Sequence, residues 1–541
     1  MSTVREATYE LLRARGMTTI FGNPGSTELP MLADYPDDFR YVLGLQEAVV
    51  VGMADGYAQA GGSGTVGHVN LHTAPGVGNA MGAIFNAQAN HAPLLITAGQ
   101  QVRPAITMQA NLTNRDATRM PHPLVKWSYE PPRAADVPAA IGRAIQTASL
   151  PPKGPAFVSI PMDDWSAEAD ADGAAQATAR SVDGRAAGAP ERVRDLAGRL
   201  AAATNPVFVA GPDIDASGGW EQGVRLAELQ HLPVWAIPPT GGGRIGFPEN
   251  HPNFMGILPP AIGPVSETLA GHDLILVAGA SVFAYYPYIP GDLLPADAEL
   301  VAITSDPEEA ARAPMGEAIV ADVKLTLDAL LAELGGTESS RPAPEQREGP
   351  MDPADLGLEP GGPISGTEAM AALGSAFPDD GIVVLEAPSS TLALRNQLRV
   401  SRPGSYYFGA GGGLGFGLAA AVGVQMAQPD RPVVCVVGEG SAQYAISAFW
   451  SAAAYDVPVT FLVLRNSEYA ILKWFSLAEG VENAPGLDLP ALDVAAVATG
   501  YGVPARKVET GEELSAALKE QIGSGEPGVV EVGVAPGMWL A

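Results

Sequence analysis

Cysteine, basic residues and long apolar segments are all scarce in this chain of 541 residues. The one cysteine, Cys435, cannot form an intrachain disulfide, and its apolar neighbours predict a small, inert core residue. The 31 basic residues against 60 acidic ones give a formal net charge of −29, which disfavours nucleic acid and acidic lipid as partners. No uncharged stretch reads as a membrane span, and the N-terminus lacks a signal-peptide pattern. We therefore expect a cytoplasmic protein that does not bind membranes.

The overall amino-acid composition is typical of a folded protein with several domains. Hydrophobic residues make up 47% of the chain and charged residues 17%, which excludes a disordered polymer. Two stretches, about 163–191 and about 335–363, are rich in Ala, Asp, Gly or Pro and are predicted to be linkers. They divide the chain into predicted domains of residues 1–165, 190–335 and 364–541.

Short apolar runs alternate with Ala-rich helical stretches in all three pieces. The runs are 19–21, 94–97, 206–209, 274–277 and 459–464. Continuous apolar strands that alternate with helices predict parallel sheets covered on both faces. The predicted fold class is therefore α/β, with three doubly wound domains. In such sheets ligands bind beyond the carboxyl ends of the strands.

The most informative segment runs from Val433 to Asn466. It predicts a strand ending at Gly438-Glu439-Gly440-Ser441, a helix over 442–456 and a second strand over 458–464. A right-handed crossover returns the second strand parallel to the first, so Glu439 and Asn466 should lie at the same sheet edge. A carboxylate and an amide oxygen suit Mg²⁺ or Ca²⁺, with the oxygens of a bound diphosphate completing the shell. A strand-to-helix turn with an exposed acid is the ordinary alternative.

This segment resembles the fingerprint of thiamine diphosphate enzymes, and other motifs resemble the benzoylformate decarboxylase family in particular. Those motifs are Phe21-Gly22-Asn23-Pro24-Gly25-Ser26, Leu45-Gln46-Glu47-Ala48, Asn70-Leu71-His72, 124–131, 311–316 and Ser405-Tyr406-Tyr407-Phe408. The resemblance covers nearly the whole chain. It implies a pyrimidine-binding domain, a middle domain and a diphosphate-binding domain, in that order.

The resemblance also implies the cofactors and the residues that hold them. These are thiamine diphosphate and Mg²⁺ or Ca²⁺, with Glu439, Asn466 and the backbone near Glu468 as metal ligands. The implied cofactor contacts are Ser389, Gly412, Leu414, Gly438, Gly440, Ser441, Tyr444 and Tyr469. Leu414 matches the apolar side chain on which the bent cofactor rests.

Glu47 stands in a helical stretch that is apolar almost all round. Burial raises the pKa of a carboxyl group and allows it to share a proton with a ring nitrogen. In the family the corresponding glutamate contacts N1′ of the cofactor's aminopyrimidine and so promotes loss of the C2 proton. An exposed or capping role is the ordinary expectation for a helical Glu.

Ser26 and His72 follow the first domain's predicted strands and, by resemblance, face the substrate. The serine is expected to hydrogen-bond the substrate, and the histidine to relay protons. Four further residues match the apolar lining of the family's substrate pocket: Leu112, Phe408, Leu472 and Phe475. Such a lining suits an aromatic 2-oxo acid, although core packing is a serious alternative for each.

Two positions depart from the family pattern. Glu439 replaces an aspartate, which moves the carboxylate oxygens by about 1.5 Å. Tyr286 replaces a second catalytic histidine, and a phenol with a pKa near 10 cannot cycle protons near neutrality as imidazole does. Slow protonation after CO₂ loss would then favour attack on a second aldehyde.

The predicted function is decarboxylation of an aromatic 2-oxo acid to an aldehyde and CO₂, with carboligation to 2-hydroxy ketones as an accompanying activity. One alternative is a synthase or carboligase that acts on aliphatic 2-oxo acids or acyl-CoA. Another is a thiamine diphosphate-binding protein with little catalysis. In the family, glutamates from two chains form each site, so a homo-oligomer of at least a dimer, and by analogy a tetramer, is expected.

Overall fold

The computed structural model describes residues 2–62, 64–239, 242–356 and 362–539. Within them, three six-stranded sheets follow one another along the chain, and helices separate the parallel strands. This confirms the predicted class of three doubly wound α/β domains. None of the helices in these ranges is both long enough and apolar enough to cross a membrane.

The first sheet has the strand order β2-β1-β3-β4-β6-β5. Its strands are β1 (Thr19–Asn23), β2 (Arg40–Leu43), β3 (Gly67–Leu71), β4 (Leu94–Gln100), β5 (Trp127–Tyr129) and β6 (Ala156–Pro161). The accompanying helices are α1 (Val4–Ala14), α2 (Leu29–Leu32), α3 (Glu47–Ala60), α4 (Thr73–Ala89), α5 (Arg103–Ile106), α6 (Val137–Ser149) and α7 (Ala171–Ala179).

Helix α7 lies within residues 163–191, the stretch that the sequence predicts to be a linker. Alanine is the strongest helix former, and the Asp170 side chain caps this helix by accepting a hydrogen bond from the Gly173 amide. The helix packs on α1 and α6. Arg15 of the first domain also donates to the carbonyl of Ala177, at 3.3 Å. The Ala-rich stretch therefore contains a surface helix that packs on helices of the first sheet.

The second sheet has the order β12-β11-β10-β7-β8-β9. Its strands are β7 (Val207–Ala210), β8 (Val234–Ala236), β9 (Phe254–Ile257), β10 (Leu274–Ala278), β11 (Glu299–Thr304) and β12 (Glu317–Val320). Its helices are α8 (Pro190–Ala202), α9 (Pro212–Ala216), α10 (Trp220–Leu229), α11 (Ile262–Thr268), α12 (Pro307–Arg312) and α13 (Val323–Glu333). Two buried apolar clusters cover its faces.

The third sheet has the order β14-β13-β15-β16-β18-β17. Its strands are β13 (Ile382–Glu386), β14 (Tyr406–Phe408), β15 (Val433–Gly438), β16 (Thr460–Arg465), β17 (Ala505–Val508) and β18 (Gly528–Gly533). Its helices are α14 (Gly366–Ala376), α15 (Thr391–Leu398), α16 (Phe416–Ala427), α17 (Glu439–Ala442), α18 (Ala448–Ala454), α19 (Ala470–Ala478), α20 (Val494–Gly500) and α21 (Gly511–Ser524). Cys435 is fully buried in β15, as expected of a core residue.

The single helix predicted over 442–456 is interrupted in the structure. It consists of α17, a 3-10 turn over 443–445 and α18. The Gln443 side chain donates to the carbonyl of Glu439 at 3.0 Å, at the point where α17 ends. The crossover is therefore built from short pieces, but it still joins β15 to a parallel β16.

Contacts between residues divide the chain into two compact units. The first unit consists of residues 1–183, 384–388 and 411–537, and the second of 184–383, 389–410 and 538–541. Within the first unit, α3 and α16 pack closely against each other. Small residues permit this contact, since a side chain at Gly52 would approach the Cβ atom of Ala419 to 2.7 Å.

Candidate active site

The carboxyl edge of the first sheet gathers several predicted site residues. Ser26 is exposed in the turn that follows β1, and His72 stands at the N-cap of α4, directly after β3. Gly25 allows the turn after β1 to approach His72 closely, because a Cβ atom at this position would overlap the His72 ring. The turn between β1 and α2 therefore lies directly against the histidine.

Glu28 is a site residue that the sequence reasoning missed. Its side chain is buried, with 1% of its surface exposed, and its Oε2 lies 2.8 Å from His72 Nδ1. Its two oxygens also accept hydrogen bonds from the backbone amides of Gly25 and Gly99, at 2.7 and 2.9 Å, and from the Thr27 hydroxyl. A carboxylate held in this way fixes the ring orientation of the histidine. The sequence feature that could have identified Glu28 is its position, two residues after the predicted site residue Ser26.

Glu47 lies at the first position of α3 and is nearly fully buried. Asn79 donates from Nδ2 to its Oε2 at 3.1 Å. Gly76 lies beside both Glu47 and His72, since a Cβ atom there would lie 3.3 Å from both Glu47 Oε1 and His72 Cβ. The structure thus places Glu47 and His72 next to the same glycine.

Leu112 lies near the same edge and has an unusual backbone. Its backbone φ is 69°, in the left-handed region that residues other than glycine rarely adopt. The Thr73 hydroxyl donates to its carbonyl at 3.1 Å, directly after His72. Gln100 at the end of β4 bonds both backbone groups of Asn114, at 2.8 and 2.9 Å. These bonds hold the strained Leu112 backbone close to the histidine.

The carboxyl edge of the third sheet places Glu439 and Asn466 side by side. Gly438 pairs with Leu464 in the parallel ladder, so β15 and β16 end at the same level. Glu439 Oε1 accepts the backbone amide of Ser467 at 2.5 Å, and Asn466 Oδ1 accepts that of Glu468 at 3.1 Å. A carboxylate and an amide oxygen therefore meet on adjacent strand ends, 27 positions apart in sequence.

The chemistry of these donors fits a bound divalent cation. Glu439 has 2% of its surface exposed, and burial raises its pKa despite the hydrogen bonds and the Arg465 charge that lower it. A nearby cation would stabilise the charged form of this carboxylate. The side chain of Glu468 is engaged with Lys473 and the Gly537 amide, at 2.5 and 2.9 Å. A metal contact from Glu468 would therefore come from its backbone carbonyl.

Some of the predicted diphosphate contacts lie on the elements that follow β15 and β16. Gly440 must lack a side chain, since a Cβ atom would approach the Tyr469 ring to 2.7 Å and Leu489 to 2.8 Å. Tyr444 hydrogen-bonds Tyr469, and burial is the main cause of the raised Tyr469 pKa. Gly438 and Ser441 complete the same turn, in β15 and α17. Gly412 and Leu414 lie on the turn before α16, where Gly412 has a φ of 70°.

The remaining predicted residues fall on other elements. Tyr286 is 58% exposed, and it belongs to the second unit together with Ser389 and Phe408. Leu472 and Phe475 lie on α19, where Ala470 is the buried residue. Phe475 packs edge-to-face on Trp474, with ring centroids 4.9 Å apart.

Models of known protein families match all three domains. The N-terminal TPP-binding domain of thiamine pyrophosphate enzymes matches residues 2–120, the central domain 193–330 and the C-terminal TPP-binding domain 388–532. Thiamine pyrophosphate is the same compound as thiamine diphosphate. The matches follow the three sheets in order.

Individual relatives extend the likeness over the full length. The benzoylformate decarboxylase of Pseudomonas aeruginosa is 51% identical over 532 residues, which cover 98% of this chain and 99% of that protein. A thiamine diphosphate-dependent 4-hydroxybenzoylformate decarboxylase from Rhodococcus jostii RHA1 superposes with a TM-score of 0.94 at 47% identity, covering 100% of both chains. The crystal structure of benzoylformate decarboxylase from Polynucleobacter necessarius gives 0.93 at 39% identity, again over 100% of both chains.

These matches confirm the resemblance seen in the sequence motifs, and with it the predicted reaction class of a carboxy-lyase. The chain belongs to the benzoylformate decarboxylase family of thiamine pyrophosphate-dependent enzymes.

Proposed function

We propose that this protein decarboxylates an aromatic 2-oxo acid of the benzoylformate type and releases an aldehyde and CO₂. The observation that carries the proposal is the cluster at the first sheet edge, where Glu47 and the Glu28–His72 pair both lie next to Gly76. A buried carboxylate beside an oriented histidine provides two separate proton-transfer groups. Two relatives that match over the full chain, at 51% and 47% identity, are decarboxylases of this substrate class by name.

The bound cofactor would supply an electron sink for the carbon–carbon bond that breaks. Glu47 would hold a proton at the aminopyrimidine, and its single described side-chain donor, Asn79, keeps the carboxylate directed. Glu439, Asn466 and the carbonyl of Glu468 would bind Mg²⁺ or Ca²⁺ at the diphosphate end. Tyr444, Tyr469, Ser441 and the two glycines Gly438 and Gly440 would surround the phosphates, with Ser389 as a further contact.

His72 would exchange protons with the substrate, while Ser26 would hydrogen-bond its carboxylate. The buried Glu28 carboxylate supports this role, because it accepts a hydrogen bond from Nδ1 and leaves Nε2 available to the substrate. Ser26 is exposed next to the Gly25 contact, so its hydroxyl is accessible to a small molecule.

The proposed preference for an aromatic substrate is based on apolar side chains that are exposed to solvent in the structure. On α19, Leu472 is 46% exposed and Phe475 is partly exposed. Leu112 and Phe408 would complete the lining. An aromatic ring bound against such side chains would bury apolar surface that is otherwise in contact with water. Benzoylformate and its 4-hydroxy derivative are therefore the substrates to test first.

Carboligation is a second activity that a specific residue favours. Tyr286 occupies the position of a histidine in the family, and a phenol is a slower proton donor and acceptor near neutral pH. A carbon centre that is protonated slowly after CO₂ loss has more time to attack an aldehyde. We propose 2-hydroxy ketones as accompanying products.

Product analysis tests these assignments directly. The purified protein, loaded with thiamine diphosphate and Mg²⁺, would be given benzoylformate, pyruvate or benzaldehyde, and the products separated by chromatography. Benzaldehyde from benzoylformate supports the proposed function, and a 2-hydroxy ketone in the same mixture supports carboligation. Preferential turnover of pyruvate would contradict the aromatic preference, and cofactor binding without any product would contradict catalysis.

A further inference from the structure

The turn from Gly411 to Gly417 carries Leu414 and is held by side chains of two other elements. Before Leu414, Asn86 of α4 donates from Nδ2 to the Gly413 carbonyl at 2.8 Å and accepts the Gly413 amide at 3.1 Å. After Leu414, Glu386 at the end of β13 accepts the amides of Gly415, Phe416 and Gly417, at 2.7, 3.1 and 3.0 Å. The backbone is thus bonded on both sides of Leu414.

The burial of these two side chains sets them apart from ordinary turn contacts. Asn86 has 3% of its surface exposed and Glu386 has 5%. Among the described residues, Glu386 accepts hydrogen bonds from these three backbone amides alone. Burial of a carboxyl group away from any cation is costly, and the three amides offset part of that cost. An apolar side chain at this position would leave the three amides without this acceptor, so the carboxyl group defines the backbone of the turn.

The turn itself has little intrinsic preference for one shape. Gly412 and Gly415 have φ values of 70° and 105°, and glycine loses much conformational freedom when it is fixed. A Cβ atom at Gly413 would lie 2.7 Å from Asn86 Oδ1, and one at Gly417 would lie 2.7 Å from Glu386 Cβ. These glycines therefore allow the Asn86 and Glu386 side chains to reach the backbone. The two side chains then fix the backbone conformation of residues 411–417.

We propose that Asn86 and Glu386 are positioning residues that fix the backbone on either side of Leu414 before the cofactor binds. The Leu414 side chain is then already in place when the cofactor arrives, and binding energy is not used to order a glycine-rich turn. This inference rests on the proposed role of Leu414 beneath the bent cofactor. The new element is that Asn86 of the first domain and Glu386 of the third domain together keep Leu414 in position.

Two variants remove the two contacts separately. Glu386→Gln keeps the side-chain shape but replaces one acceptor oxygen with an amide group, and Asn86→Leu keeps the approximate volume but cannot bond Gly413. In the cofactor-free protein, amide hydrogen exchange over 413–417, followed by mass spectrometry, should become about tenfold faster in each variant. In the loaded protein, C2–H/D exchange of thiamine diphosphate should slow by about tenfold to a hundredfold. The Kd for the cofactor, from tryptophan fluorescence, should rise by up to about tenfold in each variant, because binding then has to order the turn.

Matched controls separate positioning from general loss of stability. Gln88→Leu removes a side-chain bond from the same helix α4 to the Pro123 carbonyl, and Asp322→Asn alters a buried helix cap at the Leu325 amide. Both should leave exchange at 413–417 and at cofactor C2 unchanged. If Glu386→Gln does not fold, Asn86→Leu and the milder Asn86→Asp decide the question.

Leu414→Ala distinguishes failure of this inference from failure of the proposed function. If Leu414→Ala slows C2 exchange but the Asn86 and Glu386 variants retain normal rates and normal amide protection, the positioning role is wrong. If Leu414→Ala itself leaves C2 exchange unchanged, the role assigned to Leu414 is wrong, and this inference is overturned together with it.

Discussion

Glu28 connects the buried interior of the first domain to His72 at the sheet edge. Glu28→Gln removes the negative charge that orients the ring, and its amide nitrogen can present a donor where Nδ1–H requires an acceptor. We expect kcat for benzoylformate to fall by about 10²-fold, within the range typical of general acid–base catalysis. Steady-state kinetics would measure the change. In the His72→Ala background the same substitution should add little, and a further fall as large as in wild type would show that Glu28 does not act through His72.

Glu386 also predicts a pH dependence of stability. Burial is the main cause that raises the pKa of Glu386 from 4.5 to about 7, while its bonds to the Gly417, Gly415 and Phe416 amides lower it. The folded protein therefore binds this proton more tightly than the unfolded chain. The stabilising contribution is complete below pH 4.5 and is lost as the pH rises through 7, by an amount of about 3 kcal/mol. Relative to wild type, Glu386→Gln should show a smaller decrease in the free energy of unfolding between pH 5 and 8. Denaturant unfolding of both proteins across that pH range would measure the difference. Equal decreases in the free energy of unfolding for wild type and Glu386→Gln would show that Glu386 does not change protonation there.

Tyr286 is the residue at which we propose that the chain departs from the family's acid–base pattern. Tyr286→His should raise the rate of aldehyde release by about tenfold, equivalent to about 1.4 kcal/mol of barrier, and lower the share of 2-hydroxy ketone. Tyr285 is the matched control, because its hydroxyl is buried with no hydrogen-bond partner among the described residues, and burial raises its pKa to about 12. Rates and product ratios would be measured for both variants. A response confined to Tyr285→His would show that the wrong tyrosine has been assigned.

At the scale of elements, the ends of β15 and β16 predict a dependence on divalent metal. Chelation by EDTA should release cofactor, because diphosphate and Glu439 would then repel each other without compensation, and Mg²⁺ or Ca²⁺ should restore binding. Glu439→Asp should keep binding although the shorter side chain loses its reach to the Ser467 amide. Asp488→Asn, which alters the neighbouring bond to Lys473, should leave the metal dependence unchanged. Cofactor retained after long dialysis against excess chelator would contradict the metal assignment.

The elements themselves were largely predictable, while the contacts between distant side chains were not. Apolar runs such as 274–277 identify buried parallel strands, and the crossover rule places Glu439 and Asn466 at one edge. Periodicity carries no signal for the Glu28–His72 pair or for Asn86, whose partner Gly413 lies 327 residues away. The α7 helix was missed because alanine-rich sequence suits both a linker and a surface helix. The predicted domain limits and site roles stay predictions.

At the scale of the whole molecule, uncovered apolar side chains occur on elements that carry predicted site residues. Tyr444 is 55% exposed, Leu472 46%, Leu45 45% and Phe85 42%. Scattered exposed apolar residues are ordinary, but their position beside Glu47, Leu414 and α19 is consistent with a second copy of the chain covering the site. We propose a homodimer as the smallest active species, and a tetramer as the assembled form.

A mixing experiment tests whether two chains share each site. Glu47→Gln and Glu439→Ala should each be inactive alone, since one removes the proton-holding carboxylate and the other the metal ligand. If Glu47 of one chain faces Glu439 of another, a mixed dimer contains one site with both natural residues and one site with neither. Random reassociation after mild dissociation would then restore about a quarter of wild-type activity. Activity would be measured before and after mixing, with light scattering to confirm reassociation. If instead each site is built within one chain, every site in the mixture carries one of the two substitutions, and no activity returns.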